Sequence, residues 1–540
     1  MNSDPPPQHP PEGEQSRLFE NLRDPACYSH PVPALRVIET HISFVVLTGL
    51  FAYKIKKAVN LGFLDFTSLE KRLFYCSEEL RLNARLAPEI YLDVVPISGT
   101  TDAPQVGGTG EPIEYAVRMR EFAQEALADN TLARGEFTPQ HVDALAAAIA
   151  NFHVHAACAS ETRGFGAPET VLAAALQNFD QIRPLAGRTA STPLLATVEA
   201  WTRREYDRLH DVFAKRQREG CVRECHGDLH LGNIVFLNGV ARPFDCIEFN
   251  PVLCWIDVIN EISFLAMDLE AAGRADLARR FLNAYLEATG DYDGLAVLRF
   301  YCAYRAMVRA KVMLMRADQQ GSTSEGRTHA ASLFRSYLGI AAGSAQRHRS
   351  FVLITHGFSG SGKTTLTQPL LELSGAIRIR SDIERKRIHG LAPTENVGSG
   401  IAEGLYRSDT TENTYNRLKV LARTIVEAGH GVIVDATFLQ HRHREMFREL
   451  AKRLRVPFLI IDFRAAESDF RERIVARNRT GQDASDANLA VLEHQLKTHD
   501  PLQADELDAV CTIDTSEPAT RAVLPQTWAP LLQQLARLHG

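Results

Sequence analysis

The chain has 540 residues, more than one hydrophobic core organises, so two to four domains are expected. Hydrophobic residues make up 45% and charged residues 23%, ordinary values for globular protein that exclude disordered and fibrous classes. With 60 basic against 66 acidic residues the net charge is −6, which excludes a chain-wide nucleic-acid footprint and leaves only a local basic groove open. The nine cysteines are scattered, with no C-x-x-C pair and no metal-type spacing to histidine, so reduced thiols in a cytoplasmic protein are expected. Residues 1–15 are Pro-rich and polar, carry no secretory signal pattern, and read as a disordered tail. The most apolar early run, residues 44–53, is about half the roughly 20 residues a membrane span needs and ends in lysines.

From residue 34 the pattern is β-like. Residues 37–46, a turn at Leu47-Thr48-Gly49 and residues 50–55 predict a hairpin. On its returning strand a period of two puts Ala52, Lys54 and Lys56 on one face. A lysine behind a hairpin tip is where protein-kinase-like folds hold ATP phosphates, and an exposed edge lysine fits the same pattern. Residues 67–86 predict a helix carrying Glu70, Glu78 and Glu79. Glu79 is the expected partner of Lys54, although a solvated helix face accounts for each glutamate as well. Residues 90–97 and 114–119 predict strands around a Gly/Thr/Pro turn region at 99–112. Ala-rich helices at 142–159 and 193–219 then predict a helical lobe after a β lobe, with His153 and His155 read as structural.

The stretch Cys225-His226-Gly227-Asp228-Leu229-His230-Leu231-Gly232-Asn233 places Asp228 and Asn233 at D-x-x-x-x-N spacing. A short strand, an Asn238-Gly239 turn and Pro243-Phe244-Asp245 follow. Phosphoryl transfer to a hydroxyl needs one carboxylate at the acceptor and an amide oxygen with a second carboxylate at Mg²⁺, and a turn between two strands presents all three together. At these residues the chain resembles the aminoglycoside phosphotransferase-like branch of the protein-kinase-like fold, which includes choline, homoserine and fructosamine kinases. The resemblance implies Asp228 as catalytic base, Asn233 and Asp245 as Mg²⁺ ligands and Lys54 as an ATP-phosphate contact. It spans roughly residues 35–340 and is strongest at 225–248. Two departures stand out: a single hairpin glycine, Gly49, replaces G-x-G-x-x-G, and the carboxylate after Asp245 is Glu248, one position later than the D-x-[DE] of the branch. Asp257, Glu261 and Asp268 share a predicted helix face, which either attracts a cationic substrate or braces its neighbours. Helices at 295–317 and 329–342 close this module, a polar loop lies at 319–325, and 343–349 reads as a linker, giving modules at 16–345 and 346–540.

The second module opens on the most specific motif of the chain. A short apolar strand at 351–355 runs into Gly357-Phe358-Ser359-Gly360-Ser361-Gly362-Lys363-Thr364, followed by a helical pattern that includes Thr365. Glycines let successive N–H groups turn inward around phosphate oxygens, Lys363 adds a point charge and Thr364 a hydroxyl for Mg²⁺. A second strand, 376–379, ends at Ser381-Asp382 with Arg385 one turn on. These read as a base with an anion fork, or as a helix cap with a solvated basic turn. Residues 431–434 form a β-branched strand ending in Asp435, the place of a Walker B carboxylate. Arg473, Arg477 and Arg479 precede a polar loop at 480–485, where they read as lid arginines or as a basic helix face. Alternating helices and strands to residue 538 predict an α/β fold with a parallel sheet.

This module resembles small P-loop kinases of the polynucleotide kinase, gluconate kinase and zeta toxin type, over about residues 350–515. The likeness implies Asp382 as base, Arg385 as substrate contact and Arg477 as lid residue. The order of the two modules resembles bacterial fusions of an aminoglycoside phosphotransferase-like domain with a predicted kinase. The expected function is a bifunctional phosphotransferase using ATP and Mg²⁺ on hydroxyls of a small polar metabolite, of sugar or aminosugar class. Two other readings stay open: a nucleotide-switched ATP-binding protein, and nucleic-acid 5′-end phosphorylation by the second module.

Overall fold

The computed structural model describes residues 12–62, 64–160, 164–186, 192–318, 324–346, 349–391, 408–480, 488–516 and 524–538. The chain divides into two compact units, Met1–Ala174 with Phe213–Asp268, and Ala175–Val212 with Leu269–Gly540.

The first unit begins with helix α1 (Glu12–Asn21) and strands β1 (Arg36–Glu39), β2 (Ser43–Leu47) and β3 (Phe51–Lys56). Helix α2 (Leu69–Asn83) and strands β4 (Tyr91–Thr100), β5 (Ala103–Val106) and β6 (Pro112–Arg120) follow. The six strands form one antiparallel sheet in the order β1-β2-β3-β6-β4-β5. Alternation along β3 decides its two faces. Tyr53 and Ile55 pack with Leu18, Phe19 and Leu22 of α1, whereas Ala52 packs with Cys76 of α2. The disordered tail expected over 1–15 is therefore corrected at 12–15, while residues 1–11 lie outside the described residues. Helix α1 starts at Glu12, its Phe19 stacks on Phe44 at 4.3 Å, and buried Gln15 donates to the Lys56 carbonyl and to Glu114 at 3.0 Å each. The composition of the tail hid these few anchoring side chains. Two further expectations shift: residues 37–46 form two strands rather than one, and the turn region at 99–112 holds β5.

The predicted helical lobe follows with α3 (Ala128–Ala133), α4 (Pro139–His155), α5 (Pro168–Ala186) and α6 (Thr192–Arg218), the stretch 175–212 of α5 and α6 being grouped with the second unit. Next come β7 (Val222–Glu224), the hairpin β8 (Ile234–Leu237) and β9 (Val240–Pro243), α7 (Pro251–Cys254), β10 (Trp255–Asp257) and α8 (Val258–Ala271). The hairpin turns on Asn238 and Gly239 at φ 51° and 77°, left-handed values that suit those two residue types. A β lobe followed by a helical lobe, with the catalytic-type loop between β7 and β8, is the protein-kinase-like arrangement.

The second unit contains α9 (Ala275–Thr289), α10 (Leu295–Asp318) and α11 (Ser324–Ser344). It continues through β11 (Val352–His356), α12 (Lys363–Ser374), β12 (Ile377–Arg380), α13 (Ser381–Ile388), the helix Ser408–Glu427 and β13 (Val432–Asp435). The remaining elements are the helix His441–Leu454, β14 (Phe458–Arg464), the helices Glu467–Thr480 and Leu489–Thr498, β15 (Val510–Asp514) and the helix Pro525–Leu538. Its five strands are all parallel, in the order β12-β13-β11-β14-β15. Leu353, Leu366, Leu370, Ile461 and Trp528 centre the core on one face. Helix α9, which the sequence reading did not identify, covers the edge strand β12. The Asn283 side chain accepts from Arg378 N at 2.8 Å and donates to the Ala376 carbonyl at 3.2 Å, completing the edge as a neighbouring strand would. Arg279 caps the carbonyl end of α12 through Glu372 and Leu373, both at 2.8 Å. Among the described residues no helix is long and apolar enough to cross a membrane, and none of the nine cysteines forms a disulfide.

Candidate active sites

The loop between β7 and β8 is set by backbone demands. Gly227 has φ 89°, and a Cβ there would lie 2.7 Å from the Leu253 carbonyl oxygen, so only glycine fits. His226 donates through Nε2 to the Phe244 carbonyl at 2.8 Å and accepts the Asp228 N–H on Nδ1 at 3.3 Å. Burial lowers its pKa, in keeping with this neutral tautomer. Glu261 takes the N–H groups of His226 and Gly227 at 2.6 and 2.9 Å, and Asp268 takes that of Leu231 at 3.0 Å. Asp257 pairs with buried Arg216 at 2.6 Å. The acidic face is thus a brace for this loop. His153 lies in the same buried cluster, 4.0 Å from Glu261.

Within the loop, Asn233 Nδ2 donates to Asp228 Oδ2 at 3.0 Å, and His230 Nε2 stands 3.4 Å from the same oxygen. The β8–β9 hairpin returns the chain so that Phe244 N bonds the Asn233 carbonyl at 2.9 Å. Asp245 follows at φ 64°, its N–H donating to the Tyr91 hydroxyl at 3.1 Å. Its side chain is 44% exposed and meets Lys54 Nζ at 2.5 Å. Lys54 also pairs with Glu79 Oε1 at 2.7 Å. Folding therefore brings together Lys54, Glu79 and Asp245, as well as Asp228 and Asn233. The sequence reading missed Lys56 as a participant. It is fully buried and donates to Glu79 Oε2 at 2.7 Å and to Glu248. The available signal was Lys56 sharing the Lys54 face.

Glu79 is fully buried, which by itself would raise its pKa, but Lys54 and Lys56 hold it lowered to about 2. A carboxylate depressed below its unfolded value of 4.5 stabilises the fold above that pH, and the contribution is lost as pH falls toward about 2. Glu79→Gln is expected to cost about 3 kcal/mol at neutral pH, since two buried lysines lose a partner, and to flatten the acid limb. Thermal melting between about pH 6 and pH 3 tests this: wild type must lose stability more steeply than the variant below about pH 4.5.

In the second unit the phosphate-type loop joins β11 to α12. Gly357, Gly360 and Gly362 have φ of 146°, 83° and 83°, and a Cβ on Gly360 would lie 2.7 Å from the Phe470 carbonyl oxygen. Lys363 Nζ donates to the Gly357 and Phe358 carbonyls at 3.0 and 2.8 Å and to Ser361 Oγ at 3.3 Å. Ser359 N donates to Gln495 Oε1 at 2.9 Å, Ser361 is fully buried, and Thr365 is exposed. Thr364 Oγ1 donates to Asp435 Oδ2 at 2.7 Å, a hydroxyl–carboxylate pair of the kind that holds a divalent cation. β12 and β13 are parallel and in register at Arg380 and Asp435, so Asp382, the second residue of α13, lies at the same strand end. Arg385 stands 3.4 Å from Asp382. Arg473 bonds Thr515, and its Nη1 is 3.9 Å from a Cβ built on Gly362, beside the loop. The side chains of Arg477 and Arg479 lie outside the described residues. Two neighbours escaped the sequence reading. Arg378 holds the Thr364 carbonyl at 2.8 Å from β12, and Tyr415 donates or accepts at Thr437 Oγ1 at 3.5 Å.

Residues 352–502 match the family AAA_33, an AAA domain. The chain is 32% identical over 508 residues to the "Uncharacterized protein Rv2004c" of Mycobacterium tuberculosis, covering 93% of this chain and 97% of that protein. Among solved structures it is similar to a gluconokinase from Sinorhizobium meliloti 1021, at 20% identity over 36% of this chain and 97% of that one, with a TM-score of 0.26. It is also similar to a choline/ethanolamine kinase family protein from Mesorhizobium loti, at 11% identity over 62% of this chain and 99% of that one, with a TM-score of 0.35. A third of all positions shared across nearly the full length of both sequences means that the chain belongs to the family of Rv2004c, with an AAA_33 domain in its C-terminal part.

Proposed function

We propose that the protein is a bifunctional ATP-dependent kinase whose two sites each transfer the γ-phosphoryl group to a hydroxyl of a small polar metabolite, sugar or aminosugar in class. The observation that carries this reading is the duplication of one chemical pattern. Asp228 stands beside Asn233 near a Lys54–Asp245 pair, and Asp382 stands at the strand end that adjoins Asp435 and Thr364. Bound Mg²⁺ supplies charge screening at the phosphate oxygens, held by Asn233 and Asp245 in the first site and by Thr364 and Asp435 in the second. Asp228 accepts the proton of the acceptor hydroxyl as that oxygen bonds to phosphorus and ADP departs, and Asp382 does the same in the second site. Lys54, oriented by Glu79, and the loop 357–364 with Lys363 place the phosphates. Arg473 beside the loop, and Arg477 four positions on, offset charge on the transferred group. Arg385 orients the acceptor. Nine cysteines without a disulfide among them support a reducing, cytoplasmic setting.

The test is ADP release across a panel of hydroxyl metabolites for wild type, Asp228→Ala and Lys363→Ala. Each variant is expected to lose one acceptor-dependent activity and keep the other. Tight ATP binding with no acceptor-dependent release would instead favour a nucleotide switch, and labelled 5′ ends would favour nucleic-acid phosphorylation.

A further inference from the structure

The face shared by β3 and α2 carries more charge than an ATP-phosphate lysine and its glutamate require. Lys56 is fully buried, Glu79 is fully buried and Glu248 is 4% exposed. Glu79 gives one oxygen to Lys54 and the other to Lys56, and Lys56 is shared with Glu248. With Asp245 the row holds two cations and three carboxylates. Lys56 is shared by Glu79 and Glu248, and Lys54 by Glu79 at 2.7 Å and Asp245 at 2.5 Å, so the surplus negative charge sits at the open end of the row, on Asp245, whose side chain is 44% exposed. The segment linking Asp245 to Glu248 is pinned in between. Cys246 N donates to Asn83 Oδ1 at 2.9 Å, Asn83 donates to the Glu79 carbonyl at 2.8 Å, and Ile247 N donates to the His226 carbonyl at 3.0 Å. Glu248 is turned inward onto Lys56 and away from the exposed end of the row.

We propose that Glu248 and Lys56 are positioning residues that act as a charge balance: by satisfying Lys56, Glu248 leaves Glu79 able to hold Lys54 by itself, so that a divalent cation can take the Asp245 carboxylate from Lys54. The inference rests on reading the first site as an ATP and Mg²⁺ site. If Glu248 lacked its charge, buried Lys56 would draw fully on Glu79, since an unpaired buried ammonium is costly. Lys54, which already meets Asp245 at 2.5 Å, would then have no other carboxylate and would compete with the cation for it. The one-residue displacement of Glu248 from the D-x-[DE] pattern belongs to this arrangement.

Calorimetric titration of the full chain with ATP, once with Mg²⁺ and once with EDTA, tests the proposal in a Lys363→Ala background that removes the P-loop contribution. Glu248→Gln is expected to weaken Mg²⁺-ATP binding about tenfold and to change metal-free ATP binding by less than about twofold. The double variant Lys56→Met with Glu248→Met buries no unpaired charge and leaves Lys54 paired with Glu79. It is expected to return Mg²⁺-ATP binding to within about threefold of the background. An equal loss with and without metal, no loss, or a double variant as weak as Glu248→Gln would overturn the charge balance. Should Glu248→Gln fail to fold, a double variant that folds with weak Mg²⁺-ATP binding overturns it equally. If the Lys363→Ala background itself binds no Mg²⁺-ATP, the reading of the first site fails, and this inference with it.

Discussion

Asp228→Asn is expected to lower acceptor-dependent ADP release at the first site by roughly 10²- to 10⁴-fold while leaving the KM for ATP within a few-fold of wild type. Asparagine has the same shape and can keep a hydrogen bond to Asn233, which donates to Asp228 Oδ2 at 3.0 Å, so the loop stays in place. What it lacks is a basic oxygen for the hydroxyl proton. The loop is held independently of that carboxylate by Glu261 on two N–H groups, by Asp268 on a third and by the His226–Phe244 bond. Loss of rate with retained ATP affinity is therefore the signature of a missing base rather than of a collapsed site. The measurement is best made with Lys363→Ala, so that ADP released at the P-loop does not mask the result. Unchanged release would remove Asp228 from the role of base.

Asn283→Leu is expected to cost the second unit about 2–5 kcal/mol, because it leaves Arg378 N–H and the Ala376 carbonyl, both on the edge strand, without their side-chain partner. Arg279→Ala adds to this by uncapping the last carbonyls of α12. Scanning calorimetry of the full chain reads the effect as a lowered transition, identified as the one that ATP raises in wild type and not in Lys363→Ala. A shift of several degrees is expected for a unit of this size. An unmoved transition would mean that α9 is an ornament on the P-loop sheet. The consequence for organisation is direct. The module limits read from the sequence, 16–345 and 346–540, follow a polar linker, whereas packing groups residues 269–345 with the parallel sheet.

The turn carrying Asp228 and Asn233 and the loop 357–364 were readable because their backbone demands and spacings are local. Gly227, Gly360 and Gly362 are forced by left-handed backbone values, and Asp228, Asn233, Asp245, Lys363 and Thr364 stand at short spacings from them. The order of strands and helices was readable from periodicity, which is why the β lobe, the helical lobe and the parallel sheet were expected. Periodicity fails where a helix buries polar groups. The buried side of α2 is Arg72, Cys76, Glu79, Leu82 and Asn83, so no apolar stripe singled out Glu79 from Glu70 and Glu78. Helix α9 does bury an apolar stripe, Leu277, Ala278, Phe281, Tyr285 and Leu286, so its periodicity was present in the sequence and went unread; what the sequence hid is its docking on β12 through Asn283 and Glu287 and on the end of α12 through Arg279.

By itself, then, the sequence determined the two folds, the turn at 225–233, the glycine-rich loop at 357–364 and the residues whose backbone or spacing is self-contained. Only the tertiary structure decided how charges are shared. The Lys54–Asp245 and Lys56–Glu248 contacts join residues 191 and 192 positions apart. Which carboxylate a buried lysine takes depends on the desolvation and geometry of every competing pair at once, and no local pattern encodes that choice.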